Sequence, residues 1–122
     1  ANNVRKINEA KEKALEALTI AYNKGLKIAS GSDLLGPMQV YKAKELELKS
    51  RVLGTMEAIV SATKTNAELI RQEKNLGTLE SGKFADIIVL NGDPIQDITL
   101  FQNYHDNISL ILKNGQIYKN NL

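Results

Sequence analysis

The sequence predicts an α/β fold in which a helical first part is followed by a β-rich second part. In the first part, residues 1–75, apolar side chains recur every three or four positions, as on one face of an amphipathic helix. In the second part, residues 76–122, short apolar runs alternate with glycines and polar turns. The dipeptide Asn114-Gly115 separates two of these runs and is typical of a two-residue β-hairpin.

Composition places the chain among globular proteins with one ordinary core. Of its 122 residues 43% are apolar and 25% are charged, and the net charge is +2. Aromatic residues make up only 5% and basic residues are mixed with acidic ones, so nucleic-acid binding is not expected. No run approaches the roughly 18 apolar residues of a membrane span, so no membrane partner is expected either. The absence of cysteine excludes disulfides and thiolate metal sites, and we expect a cytoplasmic location.

The first part is predicted to contain three helices and one strand. Gly25 is the expected C-cap of the first helix. The apolar run Leu26–Ala29 is short enough for a buried strand, and the polar residues Ser30-Gly31-Ser32-Asp33 follow it. One apolar stripe is expected on the last helix, and it includes Met56 and Ile70. The helices are expected at about Val4–Lys24, Val40–Leu53 and Thr55–Glu73.

The second part is predicted to contain three strands joined by turns. Gly82 and Gly92 stand where the backbone needs freedom in φ. Asp86 is expected to fix a turn or cap backbone donors, whereas Asp93 and Asp97 are expected to act as turn and cap residues. The strands are expected at Ala85–Leu90, Ile108–Lys113 and Gln116–Tyr118. Neither part is self-sufficient, because one strand makes no sheet and three short strands make a marginal one.

Three segments of the chain carry recognisable motifs. The first is KIASGSDLLGP at Lys27–Pro37, and the second is MEAIVSATKTNAELI at Met56–Ile70. The third, GTLESGKFADIIVLNGDP at Gly77–Pro94, is the most specific, and the NGQIYKN hairpin at Asn114–Asn120 follows it. In this order the segments resemble the C-terminal region of the amidohydrolase superfamily, and specifically its imidazolonepropionase and Xaa-Pro-dipeptidase-like branch. Together the segments span nearly all of the chain from about Gly25 onward.

The resemblance implies a fold that the chain contains only in part. Family members combine a (β/α)₈ barrel with a small β-sandwich built from both ends of the chain. By resemblance, the first helix is the seventh barrel helix, Leu26–Ser30 is the eighth strand, and Val40–Glu73 is the eighth helical region. Residues 76–122 are the C-terminal strands of the sandwich. Because a complete barrel needs about 250 residues, and because the sequence begins at Ala1 rather than Met, we expect a piece of a longer enzyme.

The resemblance also implies a chemistry. Family members use divalent metals to activate water, and a carboxylate takes and returns the proton. By resemblance that carboxylate is Asp33, which is expected to be both catalytic residue and metal ligand in the complete enzyme. The structural alternative is that Asp33 caps the next turn. Gly36, in the following loop, is expected to line the substrate pocket.

Most metal ligands of the family are expected to lie outside this sequence. The chain has one histidine, His105, in a polar segment where we expect a surface loop. Asp33 alone does not make the roughly three or four protein ligands of a zinc site. We therefore expect a divalent metal, zinc, in the complete enzyme and no cofactor in this chain alone.

Three functional hypotheses follow from the sequence. The leading one is a fragment of a metal-dependent hydrolase of C–N bonds in an amide, cyclic amide or dipeptide, inactive alone. The alternatives are a non-catalytic module that self-associates and one half of a split enzyme. The expected partner is accordingly the remainder of its own barrel or, in a homo-oligomer, copies that exchange elements, because exposed strand edges and apolar helix faces are avoided by monomers.

Overall fold

The first helix, α1, runs over Asn2–Asn23 and ends where the sequence predicts. The computed structural model describes the backbone of residues 2–122 and the side chains in that range except at positions 2, 3, 7, 8 and 11. The N–H of Gly25 donates to the carbonyl of Tyr22, and that of Leu26 donates to the carbonyl of Ala21. These paired bonds form a Schellman motif, which confirms Gly25 as the helix C-cap.

Two helices and their extensions complete the first part. A 3₁₀ turn at Gly36–Tyr41 precedes α2 at Lys44–Leu53, so the predicted helix from Val40 is two separate elements. Helix α3 at Thr55–Val60 continues through a π-helical turn at Ser61–Thr65 into α4 at Asn66–Leu69. This helix ends before the predicted Glu73, because Arg71 adopts a φ of +58° that no α-helix accommodates.

The core lies where the last helix meets its neighbours. Ala58 is completely buried, and Leu53, Ser61 and Ala67 are buried beside it. The predicted apolar stripe is wrong at both of its ends, since Met56 and Ile70 are exposed. The small residues of this helix, rather than its large ones, face the rest of the described chain.

The predicted strand at Leu26–Ser30 does not form. The segment from Leu26 to Leu35 belongs to no helix or strand, and Leu26 itself is exposed. A strand exists only when a second strand accepts and donates its ladder hydrogen bonds. No other strand lies beside this segment in residues 2–122, so its backbone finds different partners, which are described below.

The second part forms one antiparallel sheet in the order β1-β2-β3. Strand β1 spans Ile87–Leu90, β2 spans Ile108–Lys113 and β3 spans Gln116–Asn120, close to the predicted boundaries. Asn114 and Gly115 both have positive φ between paired Lys113 and Gln116, which confirms the predicted hairpin.

Asp86, Asp93 and Asp97 act as turn and cap residues, as predicted. The Oδ1 atom of Asp86 accepts from the backbone N–H of Asn114 at 2.7 Å, so this side chain fixes the hairpin against the start of β1. Asp93 accepts from the N–H of Ile95. Asp97 accepts from the N–H of Thr99 and caps the 3₁₀ turn at Ile98–Phe101. Gly82 and Gly92 have positive φ, as their turns require.

The two parts meet along α2 and the last helix. The side chain of Gln102 donates to Glu47 of α2 at 2.8 Å. Gly77 lies so close to Ala67 and Lys64 that a β-carbon would come within 2.7 Å of the Ala67 Cβ. Among residues 2–122 there is no helix with the length and apolar character that crossing a membrane requires.

Candidate functional site

Asp33 follows the segment that was predicted as a strand, and its carboxylate is exposed. Its backbone has a φ of +50°, in the left-handed region that few residues other than glycine occupy. No hydrogen bond or ion pair to this carboxylate occurs within the described part of the chain. Because the carboxylate caps no backbone donor there, the turn-cap alternative has no support in this geometry.

The backbone just before Asp33 is bound by the side chain of Asn66. The Oδ1 of Asn66 accepts from the N–H of Ser30 at 2.7 Å, and its Nδ2 donates to the carbonyl of Ser30 at 2.9 Å. A side-chain amide that bonds both groups of one residue reproduces what a neighbouring strand offers. Asn66 therefore replaces a strand on one edge of the segment.

Two side chains of α2 bind the opposite edge. The Oε1 of Glu45 accepts from the N–H of Gly31 at 2.9 Å. The ammonium of Lys49 donates to the carbonyl of Ala29 and pairs with Glu45 at 2.8 Å. We refer to Glu45, Lys49 and Asn66 together as the polar cluster. It satisfies four backbone groups of three consecutive residues, 29–31.

The charges of the polar cluster are mutually compensated. Lys49 is only 7% exposed, and an ammonium buried to this extent requires a partner. Partial burial acts to raise the pKa of Glu45, but the hydrogen bonds from Lys49 and from the Gly31 N–H outweigh it. The pKa of Glu45 consequently lies below its ordinary value, and the carboxylate stays ionised opposite Lys49.

The remaining predicted residues are not brought together. Gly36 begins the exposed 3₁₀ turn after Asp33. His105 is exposed in a short helix, α5 at Tyr104–Asn107, where its ring lies 4.1 Å from that of Tyr104. It is a surface histidine, as predicted, although in a helical turn rather than a loop. The residues that the structure describes contain no group of three or more His, Cys, Asp or Glu side chains able to hold a metal ion. These residues therefore do not by themselves complete the metal site for which Asp33 was predicted as a ligand.

The sequence indicated a functional role for Asp33, but not for the side chains that bind the segment before it. Asn66 lies inside the segment Met56–Ile70, but the resemblance assigns it no role, and Glu45 lies outside all three segments that resemble the family. The spacing of Glu45 and Lys49, four residues apart, is a signal for an ion pair on one helix face. Nothing in that spacing reveals that the pair also bonds a segment 14 residues away.

An apolar groove separates the last helix from the sheet. Its volume is about 510 Å³, and its walls include Ile59, Ile70, Leu79, Phe84 and Ile88. Several of these side chains are exposed, although large apolar residues are normally covered in a folded enzyme. The groove and the polar cluster share Asn66, so the helix that anchors the Asp33 segment also borders this uncovered surface.

Several solved structures are similar to most of this chain. A prolidase in complex with N-methylphosphonate-L-proline is 35% identical with a TM-score of 0.87, over 96% of this chain and 29% of the prolidase. A Xaa-Pro dipeptidase with methionine bound in its active site is 36% identical with a TM-score of 0.77, over 86% of this chain and 25% of the dipeptidase. The ochratoxinase of A. niger is 31% identical with a TM-score of 0.75, over 87% of this chain and 24% of the ochratoxinase.

These matches define both the relationship and its extent. The chain spans less than a third of the length of each of these structures. No curated protein matches the sequence. The family model of the amidohydrolase family matches residues 1–118, which is nearly the whole chain. The resemblance inferred from the three sequence segments is confirmed, and the chain belongs to the amidohydrolase family.

Proposed function

We propose that this chain supplies the catalytic aspartate, Asp33, of a metal-dependent hydrolase that cleaves a C–N bond in a dipeptide-like substrate. The observation that carries the proposal is the exposed carboxylate of Asp33 in a left-handed backbone, just after a segment anchored by the side chains of the polar cluster. Unusual backbone conformations of this kind concentrate at active sites. Membership of the amidohydrolase family supports the reaction class.

In the proposed reaction Asp33 moves a proton. One carboxylate oxygen accepts a proton from the water that attacks the carbonyl carbon, and the same oxygen returns it to the nitrogen that leaves. When bound, a divalent metal, for which we propose zinc, would lower the pKa of water and polarise the carbonyl. Asp33 would provide one of its ligands. Because the other ligands are not among the described residues, this chain by itself is proposed to be inactive.

We propose that the preferred substrate is a dipeptide with proline in the second position. Two of the related structures are a prolidase complexed with N-methylphosphonate-L-proline and a Xaa-Pro dipeptidase. Gly36 is proposed to line the pocket, since it begins the turn after Asp33. The absence of cysteine from the sequence is consistent with a reducing, cytoplasmic setting, which we also propose.

Asp33→Asn in the full-length protein tests the function. Hydrolysis of Xaa-Pro dipeptides is measured after loading with zinc or another divalent metal, and we expect kcat to fall by about 10²–10⁴-fold. Asp93→Asn is the matched control, because Asp93 is an exposed turn residue with a local hydrogen bond. A wild type that hydrolyses no amide substrate, or an Asp33→Asn variant as active as the control, would contradict the proposal.

A second proposal concerns what covers the chain. Its accessible surface is 8864 Å², whereas a monomer of this mass exposes about 6,500 Å². Both parts of the chain expose apolar residues. In the first part some lie near Asp33 in the sequence, and in the second part some lie on the sheet. Among them are Leu26, Leu35, Ile88 and Ile117. We propose that the remaining barrel of the full-length enzyme covers these faces and that, without it, copies of this chain associate through them.

Sedimentation of this chain at several concentrations tests the association. We expect dimers or larger species whose share rises with concentration, and a compact monomer at every concentration would contradict it. The split-enzyme alternative makes a separate prediction. Mixing this chain with a separately produced polypeptide that carries the rest of the barrel should restore metal binding and hydrolysis, and failure of both would exclude that alternative.

A further inference from the structure

The hydrogen bonds at residues 29–31 alternate in the manner of a strand. The carbonyl of Ala29 and the N–H of Gly31 both bond side chains of α2, while both backbone groups of Ser30 bond Asn66. In an extended chain, residues i and i+2 direct their backbone groups to one edge and residue i+1 to the other. The polar cluster therefore holds the segment from two sides, as neighbouring strands would.

Each member of the polar cluster is itself constrained. Lys49 is buried and paired with Glu45, so neither side chain rotates away without leaving a buried charge unpaired. Asn66 follows the π-helical turn at Ser61–Thr65, a feature that re-aims the residues after it and that recurs at functional sites. Gly77 packs directly on Lys64 and Ala67. These contacts leave the cluster little freedom to move.

The consequence reaches Asp33 through a short piece of chain. Gly31 lies two residues before Asp33, and Ser30 lies three residues before it. Fixing the peptide groups of both residues limits where the Asp33 carboxylate can be. In catalysis a displacement of about 1 Å by a remote change can cost on the order of 10²-fold in rate. Holding these peptide groups in place should therefore have a measurable effect on the rate.

We propose that Glu45, Lys49 and Asn66 are positioning residues, which hold the peptide groups of residues 29–31 and thereby place the carboxylate of Asp33 for proton transfer. This inference rests on the proposed function of Asp33. It adds that the placement comes from side chains of two helices and does not depend solely on adjacent strands of a barrel.

The test uses the full-length, metal-loaded enzyme with two matched pairs of variants. Glu45→Gln is compared with Glu47→Gln, because both residues lie on α2 and their side chains are 21% and 17% exposed. Asn66→Ala is compared with Asn91→Ala, since the Asn91 side chain also donates to a distant backbone carbonyl, that of Asp106. Within residues 2–122, neither control side chain forms a hydrogen bond with the segment before Asp33.

Two readouts separate positioning from general stability. We expect Glu45→Gln and Asn66→Ala to lower kcat about 10–100-fold with KM nearly unchanged, whereas the controls keep the kcat of the wild type. We also expect amide hydrogen exchange in a peptide covering residues 26–35, measured by mass spectrometry, to speed up at least several-fold in the first two variants alone. Where Asn66→Ala does not fold, Asn66→Asp keeps the acceptor for the Ser30 N–H and removes the donor to its carbonyl.

The outcomes distinguish this inference from the function on which it rests. An inactive wild type, or an active Asp33→Asn variant, would overturn the proposed function, while hydrogen exchange would still decide whether the polar cluster holds the segment. Unchanged exchange over residues 26–35 would overturn the positioning role. So would an unchanged kcat in an enzyme that depends on Asp33, or an equal loss of kcat in the control variants.

Discussion

Two apolar runs of this chain carry the same sequence signal for a strand and take different structures. Ile108–Lys113 becomes the central strand of the sheet, with β1 on one edge and β3 on the other. Leu26–Ser30 becomes no strand, and its backbone is bonded at residues 29–31 by side chains from two helices. An apolar run sets a preference for extended backbone, whereas the available neighbours decide which groups satisfy its hydrogen bonds.

The difference also divides the molecule into a sheet held by its own backbone and a segment held by a few side chains. In the sheet, loss of one side chain leaves every ladder hydrogen bond in place. In the segment, one substitution at Asn66 removes two backbone hydrogen bonds at once. The segment should therefore be the more sensitive of the two to polar substitutions, and the sheet the more sensitive to apolar ones.

The largest effect is expected at Gly77, where the two parts of the chain meet. A β-carbon there would lie 2.7 Å from the Cβ of Ala67 and 3.1 Å from the Cα of Lys64, and φ is +92°. Overpacking and backbone strain together predict that Gly77→Ala lowers the free energy of unfolding by about 4 kcal/mol. Urea denaturation measures this effect.

Gly82→Ala is the matched control for this prediction. Gly82 has nearly the same φ, +90°, but open space where the β-carbon would lie. Its substitution should therefore cost only the backbone strain, about 1 kcal/mol. Equal losses at Gly77 and Gly82 would show that the two parts are not packed together at Gly77.

Truncation of a buried side chain in the central strand is expected to have the next largest effect on stability. Ile108 is 6% exposed, and Ile108→Ala should lower the free energy of unfolding by about 3 kcal/mol. Ile88 is 53% exposed on the neighbouring strand, so Ile88→Ala should cost less than about 1 kcal/mol in the monomeric chain, where nothing covers this face. Urea denaturation of both variants compares the two losses of stability. A loss at Ile88 as large as that at Ile108 would mean that the outer face of the sheet is covered in solution.

The sequence predicted most of the local structure because most of it depends on local chemistry. Gly25 ends its helix and Asn114-Gly115 forms its hairpin through bonds between residues a few positions apart. The predictions that were wrong depend on distant neighbours. Leu26–Ser30 lacks a pairing strand, and Met56 and Ile70 lack a covering surface.

The same distinction explains what the sequence indicated about the candidate site. Resemblance to a family motif identified Asp33, and the geometry around it is consistent with the role proposed here. The contacts of Glu45, Lys49 and Asn66 with residues 29–31 were not predicted, because they join residues that lie 14 to 36 positions apart. Such contacts leave no periodicity in the sequence.

Substitution of glycine by alanine should have a smaller effect on stability, and this effect should differ between the hairpin turn and the segment before Asp33. Gly115 has a φ of +77°, so Gly115→Ala should lower the free energy of unfolding by about 1 kcal/mol through strain alone. Gly31 has no such φ, has open space at the β-carbon position, and keeps its N–H donor to Glu45 after substitution. Thermal melting should therefore leave Gly31→Ala within about 0.5 kcal/mol of the wild type. A large loss there would mean that another surface approaches this residue.

The smallest effect on stability is expected at Glu47, a partly exposed side chain that joins α2 to the second part of the chain. Hydrogen bonds from Lys44, Gln102 and Arg51 lower the pKa of Glu47 from 4.5 to about 2. A carboxyl whose pKa is lower in the folded state stabilises that state above its ordinary pKa. This contribution is complete above pH 4.5 and is lost as the pH falls to about 2.

Glu47→Gln should accordingly flatten the decline of stability over that pH interval, which urea denaturation at a series of pH values would measure. The exposed Glu57, which forms no ion pair within the described residues, provides the control variant Glu57→Gln. The difference between wild type and Glu47→Gln should shrink toward zero as the pH approaches 2. A difference that stays constant with pH would mean that the Gln102 contact stabilises the junction by its hydrogen bond alone, without the charge of Glu47.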